Sequence, residues 1–164
     1  MKLATINNGQ PDGRIAIVSR DLTRMIYVDS VADTLQHALD RWKDVQSILA
    51  QKSDDLNAGR IEGIKFDVAN AHSPLPRAFQ WCDGSTYLAH GRRMSAWRNI
   101  PFDESHYKEP LMYQGASDSF LTPTEDIPFV SDKWGLDYEA EVAVITEHVP
   151  MGTSAKTAAS KIAL

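Results

Sequence analysis

The segment GRIAIVSRDLTRMIYV, residues 13–28, decides the fold of the first part of the chain. It holds two β-rich runs, GRIAIVS and RMIYV, that are separated by RDLT. The GQPDG sequence at the start of the first run has the proline, aspartate and glycine that are typical of a turn. Short runs of β-branched and aromatic residues between turn residues favour strands. We therefore predict that the chain begins with short strands.

A helix is predicted after these strands. Its sequence repeats apolar residues at spacings of three and four, at Leu35, Leu39, Trp42, Val45 and Leu49. This is the period of one helix face, so the pattern predicts an amphipathic helix over about residues 32–52. Ser30 with Asp33 marks its start, and Gly59 is a plausible cap at its end. The apolar stripe is interpreted as part of the core.

Composition limits the class of protein. Of the 164 residues, 43% are hydrophobic and 24% are charged, which is typical of a soluble globular protein. The net charge of -5 favours neither nucleic acid nor an anionic membrane as partner. No apolar run approaches the roughly 20 residues that span a bilayer, and MKLATINNGQ lacks the apolar core of a signal peptide. The single cysteine, Cys82, cannot form an internal disulfide, which favours a cytoplasmic location.

The amino-acid composition changes near AHSPLPRAFQW, where prolines and aromatic residues become frequent. We therefore predict an α+β protein with a small N-terminal β-rich domain over residues 1–73 and a second domain over 74–164. Close to the end, EHVPMG is a predicted turn, and Thr153 or Ser154 caps a predicted helix through AKTAASKIAL. We predict that this helix continues through Leu164, and we therefore expect the chain to be part of a longer protein.

Acidic residues alternate in WGLDYEAEVAVIT, residues 134–146, which is predicted to be a half-buried strand. Asp137, Glu139 and Glu141 then share one face of the strand, and the apolar residues between them share the other. Carboxylates about 7 Å apart along a buried strand hold protons or a cation between them. A hard divalent ion suits oxygen ligands. The alternative is a solvated acidic edge strand, which the pattern alone slightly favours.

Two further stretches contain candidate site residues. In WCDGSTYLAHG, Asp83 and His90 are seven residues apart, so a helix would place them on one face about 10 Å apart along its axis. That spacing suits a metal ligand and a proton-handling imidazole with a substrate between them, although a helix cap and a surface histidine are favoured by spacing alone. In PLMYQGASDSF, Gly115 permits close approach of a ligand near the phenol of Tyr113. GASDS does not match the G-x-S-x-G nucleophile motif, so no hydrolytic serine is predicted.

The order and separation of three stretches resemble the fumarylacetoacetate hydrolase family, closest to its bacterial fumarylacetoacetase-like members. They are PLPRAFQWCDGSTYLAH, EPLMYQGASDSFLTPTEDIP and WGLDYEAEVAVI, and the opening KLATINNGQPDGRIAIVSRDL is similar as well. The resemblance implies a small N-terminal β-rich domain followed by a catalytic domain of mixed β-roll type. It also implies one divalent cation, Mg²⁺ or Ca²⁺, and a homodimer when the protein is full length.

The resemblance also implies roles for individual residues. Asp83, Glu139 and Glu141 match three of the four carboxylate ligands of the metal, and His90 matches the general base. Substrate-binding positions of the family are matched by two residues, Tyr113 and Ser85, and the animal enzymes have a tyrosine where Ser85 stands. Gln114 is only a possible substrate contact, and Asp137 is not a family ligand. The fourth ligand is expected beyond Leu164, so the chain resembles the N-terminal half of an enzyme and is expected to be nearly inactive alone.

The implied activity is hydrolysis of a carbon–carbon bond in a β-diketo acid. The expected reaction converts fumarylacetoacetate to fumarate and acetoacetate in the breakdown of tyrosine and related aromatic compounds. Acylpyruvate hydrolases, oxaloacetate decarboxylases and isomerase/decarboxylases of the same superfamily share the acids, so these activities stay open. A non-catalytic interaction module is a further alternative. Nucleic-acid binding through HGRRMSAWR is disfavoured by the acidic net charge.

Overall fold

A four-stranded antiparallel sheet dominates the first part of the protein. The structure is a computed structural model that describes residues 1–115 and 119–164. In its sheet, β1 (Lys2–Ile6), β2 (Arg14–Val18), β3 (Arg24–Tyr27) and β4 (Ile64–Lys65) lie side by side in chain order, and each neighbouring pair is antiparallel. The strands predicted in GRIAIVS and RMIYV are confirmed. Strand β1 was not predicted separately.

The turn between β1 and β2 is built around Gly13, as GQPDG predicted. Its N–H donates to the carbonyl oxygen of Gln10 over 3.0 Å, and its φ of +57° lies in the left-handed region. A Cβ added at this position would lie 2.7 Å from Cγ2 of Thr5 and 2.8 Å from the carbonyl oxygen of Ile6. Glycine is therefore required here both by the backbone conformation and by the neighbouring atoms.

The helical region consists of two helices, α1 (Leu35–Asp40) and α2 (Trp42–Asn57), so the prediction of one helix over 32–52 was wrong. Arg41 ends α1 by donating its N–H to Ala38, and its carbonyl oxygen accepts from Val45 in the first turn of α2. The helix start at Ser30 was also wrong, because the side chain of Thr34 caps α1 by accepting from the N–H of His37.

The two helices pack on one hydrophobic core with the sheet. Their apolar stripe is buried as predicted, apart from Leu39, which is partly buried. Strand β2 contributes the fully buried Ile15 and Ile17 to the same core. Gly59 follows α2 with a φ of +71° and donates its N–H to Leu56, so the expected glycine at the helix end is confirmed.

The C-terminal segment packs against this same core. Helix α4 (Ala155–Ala159) begins at Ser154, whose hydroxyl accepts from the N–H of Thr157, as predicted. The helix does not continue to Leu164, because the last residues leave it to pair with residues 145–147. The N–H of Ile145 donates to Leu164 over 2.9 Å, and the N–H of Ala163 donates to Ile145 over 2.8 Å. Ile145, Ala163 and Leu164 lie against the core cluster.

The half-buried strand predicted in WGLDYEAEVAVIT is absent from the described residues. Residues 135–145 have no regular secondary structure, and the first strand-like pairing is the bridge between Thr146 and Ile162. Tyr138 is 84% exposed and Val142 is 97% exposed. A strand needs a partner for its backbone groups, and an alternating sequence does not supply one.

A two-stranded antiparallel ribbon and a helix lie in the middle of the chain. Strands β5 (Cys82–Ser85) and β6 (Leu111–Gln114) form the ribbon, and α3 (Leu88–Trp97) follows β5. Short 3-10 helices occur at Val68–Asn70, Glu104–Tyr107 and Asp132–Trp134. These elements confirm the predicted α+β class.

The chain divides into two compact units. One consists of residues 1–76 and 120–164, and the other of residues 77–119. The predicted domain boundary at residue 73 stays a prediction. In the portion of the chain that the structure describes, no helix combines the length and apolar character needed to span a membrane.

Candidate functional site

One face of the β5–β6 ribbon gathers three of the residues singled out from the sequence. In the ribbon register, Asp83 lies opposite Tyr113 and Ser85 lies opposite Leu111. Residues directly opposite each other share a face, and so do residues two apart on one strand. Asp83, Ser85 and Tyr113 therefore project from the same face. Tyr113 as a whole residue is 54% exposed.

The ribbon corrects the helical interpretation of WCDGSTYLAHG. Asp83 lies on a strand, and the chain enters α3 only at Leu88, so Asp83 and His90 do not share a helix face. The strand ends because the N–H of Thr86 turns back to the carbonyl oxygen of Gly84 over 2.7 Å. Asp83 and His90 remain candidate site residues, one on a strand and the other on the following helix. The argument from their spacing along a single helix was wrong.

His90 lies in the first turn of α3, where its N–H donates to the carbonyl oxygen of Tyr87 over 3.0 Å. The next residue, Gly91, is closely covered, since an added Cβ would lie 3.1 Å from Cε2 of Phe102. Phe102 is part of an aromatic cluster that holds this turn of the helix. Its ring meets the rings of His106 and Tyr107 edge to face, with centroids 5.6 and 5.9 Å away.

A cation reinforces that cluster. The guanidinium of Arg92 lies 5.3 Å from the ring centroid of Tyr107 and 5.6 Å from that of Phe102, within the range of cation–π attraction. The 3-10 helix that carries His106 and Tyr107 is capped by Asp103, whose side chain accepts from the N–H of Ser105 over 2.8 Å. Hydrogen bonds from the backbone and then the side chain of Ser105 lower the pKa of Asp103. These aromatic and hydrogen-bond contacts therefore stabilise the turn of α3 that carries His90.

Trp81 is a residue of this region that the sequence reasoning missed. Just beyond the ribbon strands, the N–H of Gly115 donates to the carbonyl oxygen of Trp81 over 2.9 Å, so these two residues continue the ladder. The rings of Trp81 and Tyr113 meet edge to face, with centroids 6.0 Å apart. We interpreted Gly115 as space for a ligand, and the structure shows the indole of Trp81 there. An aromatic residue across from a strand glycine is a known pairing, but it required the register.

The acidic residues of WGLDYEAEVAVIT lie in the other unit, on an exposed, irregular segment. Asp137, Glu139 and Glu141 are all exposed, and Oδ1 of Asp137 accepts from the N–H of Tyr138 over 2.9 Å. The sequence-derived ligand set is thus divided between Asp83 in residues 77–119 and the two glutamates in residues 120–164. Its role as a metal site stays a prediction. Ser117, the middle residue of GASDS, lies outside the described residues.

Two family models match the chain. The model described as Fumarylacetoacetase N-terminal domain 2 matches residues 1–77, and the model described as Fumarylacetoacetate (FAA) hydrolase C-terminal matches residues 80–164. The second match covers more than half of the 164 residues. The chain therefore belongs to the fumarylacetoacetate hydrolase family. A search of curated proteins gives no match.

Membership defines the general chemistry. The domains of this family support hydrolase or decarboxylase activity, and its enzymes generally use a divalent cation. The carboxylates of Asp83, Glu139 and Glu141 have the oxygen donors that a hard divalent cation prefers. The donor chemistry of the residues present therefore fits the cation that the family uses.

Proposed function

We propose that this protein is a divalent-cation-dependent hydrolase that cleaves a carbon–carbon bond in a β-diketo acid. Fumarylacetoacetate is the proposed substrate, and fumarate and acetoacetate are the products. The observation that carries the proposal is the shared ribbon face of Asp83, Ser85 and Tyr113. This face lies inside the segment that matches the family's hydrolase model. A carboxylate that can bind the metal ion and two hydroxyl groups that can donate hydrogen bonds therefore lie on one face of the ribbon, where a small substrate with several oxygen atoms can contact them.

The proposed metal ligands are Asp83, Glu139 and Glu141. These three carboxylates would hold a Mg²⁺ or Ca²⁺ ion, which when bound would supply Lewis-acid polarisation of a substrate carbonyl. Tyr113 and Ser85 orient the substrate by donating hydrogen bonds from their hydroxyl groups to its oxygens. Both side chains are exposed on the ribbon face, so they are accessible to the substrate.

His90 is the proposed general base. Its imidazole takes a proton from water as the water oxygen forms a bond to the carbonyl carbon. The carbon–carbon bond then breaks, and its electron pair passes to the carbon of the departing β-keto acid. The imidazolium of His90 donates the proton it accepted to that carbon, which restores the neutral imidazole. The products are fumarate, which has gained a carboxyl group, and the β-keto acid acetoacetate, so water is consumed and no oxidant is needed.

Metal binding tests the ligand set. Calorimetric titration with Mg²⁺ should show that Asp83→Asn, Glu139→Gln and Glu141→Gln each raise the dissociation constant by roughly tenfold or more, because affinity follows the number of charged oxygen ligands. Asp126→Asn, at an exposed acid of the same part of the chain, is the matched control and should leave the constant unchanged. Unchanged affinity in the three ligand variants would refute the metal site.

Turnover tests the reaction. The protein at its full natural length is supplied with Mg²⁺ and fumarylacetoacetate, an acylpyruvate or oxaloacetate in separate assays, and the products are identified. We expect fumarate and acetoacetate from the first substrate, and we expect His90→Ala to abolish turnover without weakening Mg²⁺ binding. Preferential hydrolysis of the acylpyruvate, or loss of carbon dioxide from oxaloacetate alone, would replace the proposed substrate. Normal turnover by His90→Ala would remove the general base from the mechanism.

A further inference from the structure

The indole of Trp81 occupies the space that a side chain at residue 115 would need. The hydrogen bond between Gly115 and Trp81 places these residues opposite each other at one end of the ribbon. A Cβ added to Gly115 would overlap with Cε2, Cζ2 and Cδ2 of the indole. No flexible chain end is involved, because these three atoms belong to the rigid ring. Only glycine at residue 115 is compatible with this position of Trp81.

The same indole contacts Tyr113 on the ribbon face that carries Asp83. Trp81 is two residues before Asp83, and Asp83 lies opposite Tyr113, so Trp81 and Tyr113 are diagonal neighbours across the ribbon. Their ring planes are inclined at 69° with centroids 6.0 Å apart, which is a preferred aromatic arrangement. A tyrosine side chain can adopt several staggered rotamers. Contact with the indole restricts this choice.

We propose that Trp81 is a positioning residue for substrate binding, which holds the phenol of Tyr113 in one orientation beside Asp83 while Gly115 leaves room for the indole. The inference rests on the proposed function in one respect, since it takes Tyr113 as a substrate contact. A donor that is already oriented loses less conformational entropy when the substrate binds. Trp81 thus acts through Tyr113 and does not itself contact the reacting atoms.

Fluorine NMR tests whether Trp81 holds Tyr113. The complete chain is labelled with 3-fluorotyrosine, and the resonance of residue 113 is identified by its loss in Tyr113→Phe. We expect Trp81→Ala and Gly115→Ala to move this resonance toward that of free fluorotyrosine, and Trp81→Phe to retain much of its shift. An unchanged resonance in Trp81→Ala would overturn the proposal.

A suppressor experiment tests the pairing of Trp81 with Gly115. Gly115→Ala should disturb the Tyr113 resonance when Trp81 is present, and it should add nothing in the Trp81→Ala background, where the overlap is removed. Gly84→Ala is the control on the same ribbon, since its added Cβ would lie 3.8 Å from Met112 and from Thr86, an ordinary contact. An equal effect of Gly115→Ala in both backgrounds would show that the glycine serves only the backbone, against the proposal.

Kinetics test the link to substrate binding. In the protein at its full natural length, Trp81→Ala and Tyr113→Phe should each raise KM for the β-diketo acid by roughly tenfold, the effect of one lost hydrogen bond, with a smaller change in kcat. The double variant should be no worse than Tyr113→Phe alone, because Trp81 acts through the phenol. Additive losses would overturn the proposal. If the unmodified enzyme turns over no β-diketo acid, the proposed function fails, and the fluorine and suppressor results still decide whether Trp81 holds Tyr113.

Discussion

Asp21 closes the turn between β2 and β3 through three hydrogen bonds to a single carboxylate oxygen. Oδ1 of Asp21 accepts from the hydroxyl of Ser19 over 2.6 Å, and from the N–H and hydroxyl of Thr23 over 3.0 and 2.8 Å. These bonds, that from the Ser19 hydroxyl being the strongest cause, lower the pKa of Asp21 from 3.8 to about 2. The charged carboxylate is thus the form that the folded turn stabilises.

This turn should give the protein a defined acid sensitivity. Since the folded pKa of Asp21 is about 2 and the ordinary value is 3.8, its contribution to stability is present above the ordinary value and is lost as pH falls through the folded value. We expect a carbon-detected NMR titration to place the Asp21 midpoint near its lowered value. In Asp21→Asn, urea unfolding should lose this part of its pH dependence. A midpoint at the ordinary aspartate value would contradict the assignment.

Trp81 shows where single-residue reasoning stops. Motif resemblance was sufficient to select Asp83, Ser85 and Tyr113 as candidates, because it depends on residue type and order. That these residues share one face depends on the register of two strands that are far apart in sequence. The role of Trp81 depends on its partner being Gly115. Neither fact is contained in a local pattern, so neither could be predicted.

Helix α2 illustrates what period alone determines at the scale of an element. The spacing of apolar residues predicted correctly which side of the helix is buried, since burial follows the face that the period defines. It did not predict the break at Arg41 or the end of α4 at Ala159. The strand predicted in residues 134–146 was wrong for a related reason. Helix ends depend on capping and turn hydrogen bonds, strand pairing depends on hydrogen bonds to residues distant in sequence, and periodicity reports neither.

Two neighbouring residues of α2 allow a matched test of this element. Leu49 is 0% exposed and Ile48 is 46% exposed, although both are aliphatic residues of similar size. Leu49→Ala should lower the free energy of unfolding by about 2–5 kcal/mol, because it leaves a cavity in the core. Ile48→Ala should change it by about 0.5 kcal/mol or less. Urea unfolding measures both, and similar losses in the two variants would contradict the orientation of the helix.

At the scale of the whole molecule, order is distributed unevenly along the chain. The sheet and helices of residues 1–76 enclose buried apolar side chains, whereas residues 135–145 are irregular and mostly exposed. The latter segment carries two of the three proposed metal ligands, Glu139 and Glu141. Regions with few buried apolar contacts open at low free energy, and elements that bind ligands are often found among them.

Hydrogen exchange should reproduce this distribution. Amides of β2, whose backbone pairs with strands on both sides, should exchange slowest, and amides of residues 135–145 should exchange orders of magnitude faster. Mass spectrometry of peptides from the intact chain measures both regions in one sample. Slow exchange over residues 135–145 would mean that this segment has a strand partner after all.

Ile145, Ala163 and Leu164 belong to the sequence that matches the hydrolase family model, yet they pack on a core made largely by residues that match the N-terminal model. A single hydrophobic core therefore contains residues from both of the segments that the two family models match. A chimera that exchanged only residues 1–77 would place a different surface against these three side chains. Recombination between relatives would succeed more readily when residues 1–77 are exchanged together with Ile145, Ala163 and Leu164, which pack on them.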